Sequence, residues 1–304
     1  MKVLITGGCG FIGSNLIDYL LPRGYELSIL DNLSSASDEY ARAQNVPVQA
    51  GDILDDNALS QSLANVESVV HLAALTSVPD SMADPLSNFR VNVEGTWKVL
   101  EACRTAGVTR FVFASSNAAV GEQEPPIRED ILPAPKSPYG ASKLMGEALV
   151  RSYAEAYGIQ ALSLRFANVF GPHAETKGAV VAAFQRSIKQ GKQLTIYGDG
   201  EQTRDFVHAA DIAQAIELGL QKGGHGQVYQ IASGKETSIL ELAMKILNLH
   251  GKNYKEGVCF AEARPGDILR NYSDIGRASA ELGYEPKEDL WSFLEESKMQ
   301  PSGF

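Results

Sequence analysis

The chain has 304 residues, 44% of them hydrophobic, so it is long enough to bury a large core in one domain or in two unequal ones. Its formal net charge is −10 at pH 7, and its Lys and Arg residues are scattered. This argues against nucleic acid as a partner, because phosphate neutralisation needs a basic surface.

The cysteines and the N-terminal segment indicate the cellular compartment of the protein. Cys9, Cys103 and Cys259 are far apart and lack the spacing of metal ligands, so we predict no metal site and expect buried or half-buried thiols in a reducing compartment. No run of about 18 apolar residues is available to span a membrane. The apolar start is too short for a secretory signal and is typical of a strand. We therefore predict a cytoplasmic protein with no membrane partner.

Short β-rich runs alternate with helical segments over the first 170 residues. Strands are predicted at residues 2–6, 26–30, 46–50, 68–72, 110–114 and 161–166. Helices are predicted at residues 11–21, 58–64, 93–106 and 138–157. Several of the strands are almost continuously apolar, as expected for strands covered on both faces. The alternation predicts an α/β fold with a doubly wound parallel sheet and right-handed crossovers.

The pattern changes after Phe170, where Gly and Pro clusters separate shorter elements. We expect residues 1–170 to form one domain and residues 171–304 a smaller α/β domain. No Pro- or Ser-rich linker marks the boundary. The second part is therefore also a candidate source of the last strand of the sheet.

A glycine-rich turn follows the first predicted strand and opens the first helix. Gly7, Gly10 and Gly13 have the spacing of a dinucleotide fingerprint, in which the backbone turns tightly and approaches a pyrophosphate on the helix N-terminus. Asp31 ends the second strand, where the fingerprint places an acid for the adenosine ribose. Its charge would repel the 2′-phosphate of NADP, so the sequence predicts NAD as the cofactor.

Two more residues are predicted to lie near the cofactor, beside its adenine ring. Asp52 and Ile53 come at the end of the third strand. An aspartate after a strand is also common turn chemistry, and that interpretation stays open.

Tyr139 and Lys143 are four residues apart in the last predicted helix, so they share one face. A free tyrosine has a pKa near 10 and is a poor base. A lysine ammonium about 4 Å away contributes on the order of 4 kcal/mol at an effective dielectric near 20, or about three pK units. We therefore expect Lys143 to lower the pKa of Tyr139, so that the phenolate accepts a hydroxyl proton while hydride leaves the same carbon.

A second stripe on the same helix faces away from this pair. It fits either the core of the chain or the interface of a homodimer, and the sequence leaves both open. Its members are Met145, Ala148, Leu149, Ser152, Tyr153 and Ala156.

Nine motifs, taken in order along the chain, resemble the extended short-chain dehydrogenase/reductase family, and within it the NAD-dependent sugar-nucleotide epimerases and dehydratases. They are TGGCGFIG (6–13), Asp31, HLAAL (71–75), VNVEGT (91–96), FASSNAAVG (113–121), SPYGASK (137–143), LRFANVFGP (164–172), YGDGEQTRDFVH (197–208) and RPGD (264–267). The resemblance implies a Rossmann-type NAD-binding domain, a C-terminal substrate-binding domain and a UDP-sugar substrate. It adds to the cofactor site Phe11, Ile12, Asn32, Leu72, Ala73 and Ala74.

The resemblance also implies a third catalytic hydroxyl at Ser116, with Ser115 as the close rival. The next two residues are Asn117 and Ala118, where related 4,6-dehydratases carry an Asp-Glu pair. Neither side chain is a general acid or base, so elimination lacks its groups. Reversible hydride transfer remains, and with it epimerisation at C4 of a UDP-hexose through a transient 4-keto sugar. Val120 departs from the tyrosine that most relatives carry.

On the substrate side, the resemblance assigns Arg204 and Arg264 to the nucleotide diphosphate, Asn168 to phosphate or sugar, and Asp267 to the ribose. Ala179, Val180 and Tyr197 match the segments around the base. Asn271 matches the residue beside the 2-substituent of the sugar, and its small size implies that N-acetylated sugars also fit.

Two alternatives remain at this point. One is an NAD-dependent reductase of a keto-sugar nucleotide. The other is a non-catalytic NAD-binding scaffold, which the intact pair of Tyr139 and Lys143 disfavours.

Overall fold

The computed structural model describes residues 1–174, 179–263 and 268–299. The strands are β1 Lys2–Thr6, β2 Glu26–Asp31, β3 Val48–Ala50, β4 Ser68–His71, β5 Arg110–Ser116, β6 Gln160–Phe166, β7 Asn168–Phe170, β8 Leu194–Tyr197, β9 Thr203–Arg204, β10 Phe206–His208, β11 His225–Ile231, β12 Thr237–Ser238 and β13 Val258–Ala261. The helices are α1 Phe11–Leu20, α2 Glu39–Ala43, α3 Asp56–Ser62, α4 Val78–Ala83, α5 Pro85–Phe89, α6 Gly95–Ala106, α7 Pro138–Tyr157, α8 Val180–Lys189, α9 Ala209–Lys222, α10 Ile239–Leu249, α11 Tyr254–Gly257 and α12 Leu290–Met299.

Seven strands form one parallel sheet in the order β11-β6-β5-β4-β1-β2-β3. The chain winds outward from β1 to β3 and then returns to build the other half from β4. The strand order therefore reverses beside β1, and in sheets of this kind ligands bind at the carboxyl ends of the strands at such a point. The predicted α/β fold with a doubly wound, Rossmann-type parallel sheet is confirmed.

Helices cover both faces of the sheet, which explains the apolar runs in the sequence. In β1, Val3 and Ile5 pack into the cluster that includes residues of α1 and α9, whereas Leu4 packs into the cluster on the α3, α6 and α7 side. All three side chains are fully buried. A strand buried on both faces has no polar alternation, as predicted.

Several element bounds differ from the sequence predictions. The helix predicted at 93–106 begins much earlier, because a π-helical turn at Arg90–Glu94 joins α5 to α6 without a break. Asp84 caps its start by accepting a hydrogen bond from the backbone N–H of Ser87 at 3.0 Å. β5 runs two residues further than predicted, to Ser116, and β3 begins two residues later.

The later part of the chain contributes both to the main sheet and to a core of its own. The sheet ends on β11, which pairs with β6 and comes from beyond residue 170. A separate apolar cluster includes Phe184, Ile196, Leu242 and Leu294. The division into domains 1–170 and 171–304 stays a prediction.

All three cysteines are free, with Cys9 and Cys103 buried and Cys259 half-buried, as predicted. Within the described residues, none of the helices has the length and apolar character that a membrane span requires.

Candidate active site

The glycine-rich turn lies at the carboxyl end of β1. Gly7 has a φ of +69°, and a Cβ there would lie 2.6 Å from the backbone N of Ala73. A Cβ on Gly13 would lie 2.2 Å from the carbonyl oxygen of Gly8. Gly10 is different, because only the carbonyl oxygen of Gly7 comes near its missing Cβ, at 3.4 Å. The turn is therefore packed tightly at two glycines and open at the third.

Gly10 is also the N-cap of α1, and no side chain caps this helix. The first backbone N–H groups of a helix have no partner within it, and the helix dipole makes its N-terminus favourable for an anion. Phe11 and Ile12 follow at the first turn. The open space at Gly10 and the uncapped N–H groups together fit the pyrophosphate of a dinucleotide.

Asp31 lies beside this turn, at the end of β2. Its carboxylate accepts hydrogen bonds from the backbone N–H of Cys9 at 3.0 Å and of Leu33 at 2.9 Å. Asn32 donates to the carboxylate of Asp52 at 2.8 Å. Asp52 and Asn32 are thus brought together at the ends of β3 and β2, while the neighbouring Ile53 is buried.

A buried hydrogen-bond network supports the loop after β4, which carries Leu72, Ala73 and Ala74. The Thr6 hydroxyl lies 2.6 Å from Nδ1 of His71, and Nε2 of His71 lies 3.0 Å from the Thr96 hydroxyl. Burial, with a contribution from the Lys143 charge, lowers the pKa of His71 to about 3, so the ring is neutral. Thr96 donates to the carbonyl oxygen of Asn92 at 2.6 Å, so its hydroxyl accepts from a protonated Nε2.

The same network reaches the catalytic helix. The Asn92 side chain accepts from the N–H of Leu75 at 2.8 Å and donates to the Ser142 hydroxyl at 3.0 Å. Ser142 in turn donates to the carbonyl oxygen of Tyr139 at 2.7 Å. The π-helical turn therefore ties the loop after β4 to the start of α7.

Tyr139 lies on the first turn of α7 and is buried. Burial raises the pKa of its phenol, whereas a hydrogen bond with the Ser116 side chain lowers it. Lys143 is not a cause of the shift, so the expectation that it lowers the pKa of Tyr139 by about three units is wrong for the protein alone. The Lys143 ammonium lies 6.0 Å from the centre of the Tyr139 ring and donates to the carbonyl oxygen of Ala114 at 2.8 Å.

Lys143 itself is buried among aromatic and polar groups. Its Nζ lies 5.0 Å from the centre of the Phe113 ring. Burial lowers the pKa of this ammonium to about 8, and the charge of Glu147 opposes that effect. A lysine with this pKa is still largely protonated at neutral pH.

Ser115 and Ser116, the two candidates for the third hydroxyl, make different contacts. Ser115 does not face the same group as Ser116, because its hydroxyl donates to Oε1 of Glu147 at 2.5 Å. Ser116 is the serine hydrogen-bonded to Tyr139. The two hydroxyls therefore point to different surroundings, because successive residues of a strand point to opposite faces.

The sequence interpretation missed a buried ion pair behind the dyad. Glu147 accepts two hydrogen bonds from Arg165 of β6, each 2.8 Å long, and the two side chains are 5% and 3% exposed. Two signals were available in the sequence. Glu147 follows Lys143 by one helical turn, and Arg165 is the one charged residue of the strand segment QALSLRF.

Asn117 and Asn271 meet beside Ser116, although they are far apart in sequence. The Asn117 amide donates to Oδ1 of Asn271 at 3.2 Å and to the Ser273 hydroxyl at 3.0 Å. Both asparagines are buried. Asn271 is therefore held against the residue that follows Ser116.

The predicted substrate-binding residues occupy several elements of the later chain. Asn168 begins β7 and is exposed, Tyr197 ends β8, and Ala179 and Val180 form the N-cap and first residue of α8. Arg204 donates to the carbonyl oxygens of Thr203 and Ile268, each at 2.7 Å. It thus binds the chain next to the RPGD motif. Arg264 and Asp267 of that motif lie outside the described residues.

Most of the second stripe on α7 is exposed, including Met145, Ala148, Ser152 and Ala156. The alternative that this stripe is ordinary core is therefore wrong for these four residues. It holds for Tyr153, which is buried and donates to Glu101 at 3.1 Å.

Residues 3–232 match the model of the NAD dependent epimerase/dehydratase family. The chain belongs to this family. Its extended short-chain dehydrogenase/reductase character and its NAD cofactor are thereby confirmed.

Members of this epimerase/dehydratase family resemble the chain over nearly its whole length. The UDP-glucose 4-epimerase of Mycolicibacterium smegmatis is 37% identical over 300 residues, covering 95% of this chain and 95% of that protein. The UDP-glucose 4-epimerase of Thermotoga maritima, solved with UDP-glucose, superposes with a TM-score of 0.93 at 34% identity and covers 98% of this chain and 97% of its own. The UDP-N-acetylglucosamine 4-epimerase of Methanobrevibacter ruminantium, solved with UDP-N-acetylmuramic acid, gives 0.90 at 34% identity, with 98% and 96% covered.

Proposed function

We propose that this family member inverts C4 of a UDP-hexose: UDP-glucose and UDP-galactose, together with their N-acetylated forms. One observation carries the proposal. Tyr139 is hydrogen-bonded to Ser116, Lys143 lies one turn further along α7, and the two residues after Ser116 are Asn117 and Ala118. The arrangement supplies hydroxyl oxidation and ketone reduction but no acid or base for elimination.

The residues around β1, β2 and β3 would hold NAD. The turn from Gly7 to Gly13 and the N-terminus of α1 suit the pyrophosphate, and Asp31 with Asn32 suits the adenosine ribose. Asp52 and Ile53 are proposed to line the adenine pocket, and Leu72 to Ala74 the inner wall. When bound, NAD supplies a hydride acceptor and donor and a positively charged ring.

Tyr139 is proposed to take the proton from the C4 hydroxyl and to return it after the sugar has turned over. Burial raises the pKa of this phenol, so its deprotonation at neutral pH requires positive charge nearby. The Lys143 ammonium is the nearest such group that α7 offers. Ser116 would hydrogen-bond the same sugar oxygen, which fixes the reacting atom beside the phenol.

Inversion requires that the nucleotide stays bound while the sugar rotates. We propose that Arg204 and Arg264 bind the diphosphate, because an acidic protein needs local cations for this purpose. Asn168 is proposed to contact the phosphate or the sugar. Ala179, Val180, Tyr197 and Asp267, from the smaller substrate-binding part of the chain, are proposed to surround the uridine. The 4-keto sugar would then present its other face to hydride.

Asn271 is proposed to border the 2-substituent of the sugar. An asparagine hydrogen-bonded to Asn117 is smaller than an aromatic side chain in that position and leaves more room. This supports acceptance of N-acetylated sugars alongside unsubstituted ones.

The experiment is a substrate panel without added reductant. The purified protein is incubated with UDP-glucose, UDP-galactose and their two N-acetylated forms, and the sugar products are separated and identified. Interconversion within either pair is expected. If NAD is bound and no sugar is interconverted, the proposal is wrong. Stoichiometric loss of NADH absorbance with a keto substrate would instead indicate a reductase, and a 4-keto-6-deoxy product a dehydratase.

We also propose that the protein is a homodimer in solution. Large apolar side chains are exposed on neighbouring helices, at Met82 and Leu86 on α4–α5, Phe89, Trp97 and Met145. Several such side chains on adjacent helices mark an interaction surface. Sedimentation should give a dimer mass for the wild type, and Phe89→Glu should shift it towards the monomer. A monomeric wild type would contradict the proposal.

A further inference from the structure

α7 contacts three successive residues at the end of β5 through side chains spaced one turn apart. Lys143 donates to the carbonyl oxygen of Ala114, and Glu147 accepts from the hydroxyl of Ser115. Tyr139 completes the series at the next residue of β5. Glu147 is thus the third member of the stripe that carries the dyad, and it holds the strand directly before the catalytic serine.

The partner of Glu147 is Arg165, and the pair is buried with two parallel hydrogen bonds. Desolvating two charges costs several kcal/mol per ion, so a buried ion pair is often no more stabilising than apolar residues of the same volume. In addition, Nη1 of Arg165 finds no hydrogen-bond partner among the described residues. Stability alone therefore gives a poor account of this pair.

We propose that Glu147, ion-paired with Arg165 and oriented by it, is a positioning residue that keeps Lys143 charged and directed at the end of β5 during catalysis. The proposal rests on the proposed hydride-transfer function, in which an ammonium beside Tyr139 is required. Arg165 acts through Glu147, and Glu147 acts through Lys143 and Ser115. Neither residue touches the reacting atoms.

Of the groups that face Lys143, Glu147 is the one that stabilises the charge of the lysine ammonium. From α7 come Tyr139, a neutral phenol, and Glu147. From β4 comes His71, which is neutral because its pKa is about 3. Arg165, from β6, contacts Glu147. Among these residues only Glu147 places an anion next to Lys143, and it raises the pKa of the lysine against the effect of burial.

The direction in which pH changes turnover depends on the charge of Lys143. Lys143 is charged below its pKa of about 8 and neutral above it. Loss of the Glu147 charge removes a factor that raises this pKa, so the lysine loses its proton at lower pH. Turnover that needs the ammonium therefore falls earlier on the alkaline side.

The test uses the NAD-loaded enzyme and two variants. Glu147→Gln keeps the shape and one acceptor for Ser115 but removes the charge. The double variant Glu147→Gln/Arg165→Met removes both buried charges and avoids leaving Arg165 unpaired, so its thermal stability should recover relative to the single variant. In both variants, the alkaline limb of the kcat–pH profile should shift to lower pH by about one unit. At a pH above that limb, kcat should then be roughly tenfold lower than in the wild type.

Asp56→Asn is the control, since Asp56 forms an exposed ion pair with Lys98 far from the dyad. Its alkaline limb should coincide with that of the wild type. A second readout does not depend on turnover: NMR titration of ¹⁵N-labelled lysine side chains, with the Lys143 signal assigned from a Lys143→Met sample. The apparent pKa of Lys143 should be lower in both Glu147 variants.

The proposal is overturned if the alkaline limb of kcat and the titration of Lys143 are unchanged in both variants and kcat falls only in proportion to the folded fraction. The Glu147–Arg165 pair would then have a purely structural role. If the wild type turns over no UDP-sugar, the proposed function fails. In that case the NMR titration still decides whether Glu147 controls the charge of Lys143.

Discussion

The glycine turn offers a prediction that separates packing of the protein from binding of the cofactor. Gly13→Ala places a methyl group 2.2 Å from the carbonyl oxygen of Gly8 and 2.6 Å from its Cα. All the atoms met belong to the backbone, so no flexible side chain can yield. Overpacking of this kind costs about 1–3 kcal/mol, and alanine recovers at most about 1 kcal/mol of helix propensity. Because the contact is severe, we take the upper end of that cost and expect a net loss of about 2 kcal/mol, which lowers Tm by about 3 °C.

Gly10→Ala is the matched variant. Gly10 has φ −78° and ψ 178°, which alanine adopts freely, and its Cβ would meet only one atom, at 3.4 Å. The fold should therefore lose less than about 1 kcal/mol. The methyl group would, however, occupy the surface that the pyrophosphate approaches. We expect NAD affinity to fall at least about tenfold, or 1.4 kcal/mol.

Thermal unfolding with and without NAD measures both effects. At an NAD concentration of about 100 Kd, the wild type should gain about 2.7 kcal/mol of stability, and Gly10→Ala only about 1.4 kcal/mol at the same concentration. Calorimetric titration of NAD gives the affinities independently. A Gly10→Ala protein with the full NAD-induced shift would refute the assignment of the pyrophosphate to this turn. A Gly13→Ala protein with an unchanged Tm would refute the packing argument.

Three further predictions concern the dyad and the cofactor site. Tyr139→Phe should reduce turnover by about 10²–10⁴-fold with NAD binding retained, whereas Tyr157→Phe, at the exposed end of α7, should be unaffected; steady-state kinetics with both variants decide this. Asp31→Asn should raise the affinity for NADP relative to NAD, measured by calorimetry, and an unchanged ratio would remove Asp31 from its assigned role. Ser116→Ala should lower kcat with little change in Tm. Ser115→Ala should mainly lower Tm, because the buried Oε1 of Glu147 loses one of its two donors and keeps only Arg165, and the reverse pattern would contradict the geometry.

Local patterns were enough to predict the sheet, the glycine turn after β1 and the helix that carries Tyr139 and Lys143. The apolar runs of β1, β4 and β5 predicted strands buried on both faces, because burial on two sides removes polar alternation. The spacing of Tyr139 and Lys143 predicted one helical face, because α-helical geometry brings residues four apart together. The helix predicted at 138–157 has the bounds that α7 has in the structure.

Local sequence patterns could not predict which distant segments contact each other. Ser115 and Ser116 are equivalent as strand-end serines, and only Glu147, 32 residues away, distinguishes them. The spacing of Tyr139 and Lys143 did not predict that the ammonium donates to the carbonyl oxygen of Ala114, because that oxygen belongs to β5, 29 residues away in sequence.

By itself, the sequence determined the cofactor turn, the order of the elements and the residue types available for chemistry, since each depends on neighbours a few positions apart. Tertiary structure decided which polar groups meet in the buried layer between β5, β6 and α7. There, Glu147 and Arg165 pair with each other, because an unpaired charge in that buried layer would lower the stability of the fold. The same requirement links the catalytic lysine to a residue on β6 that no local spacing singles out.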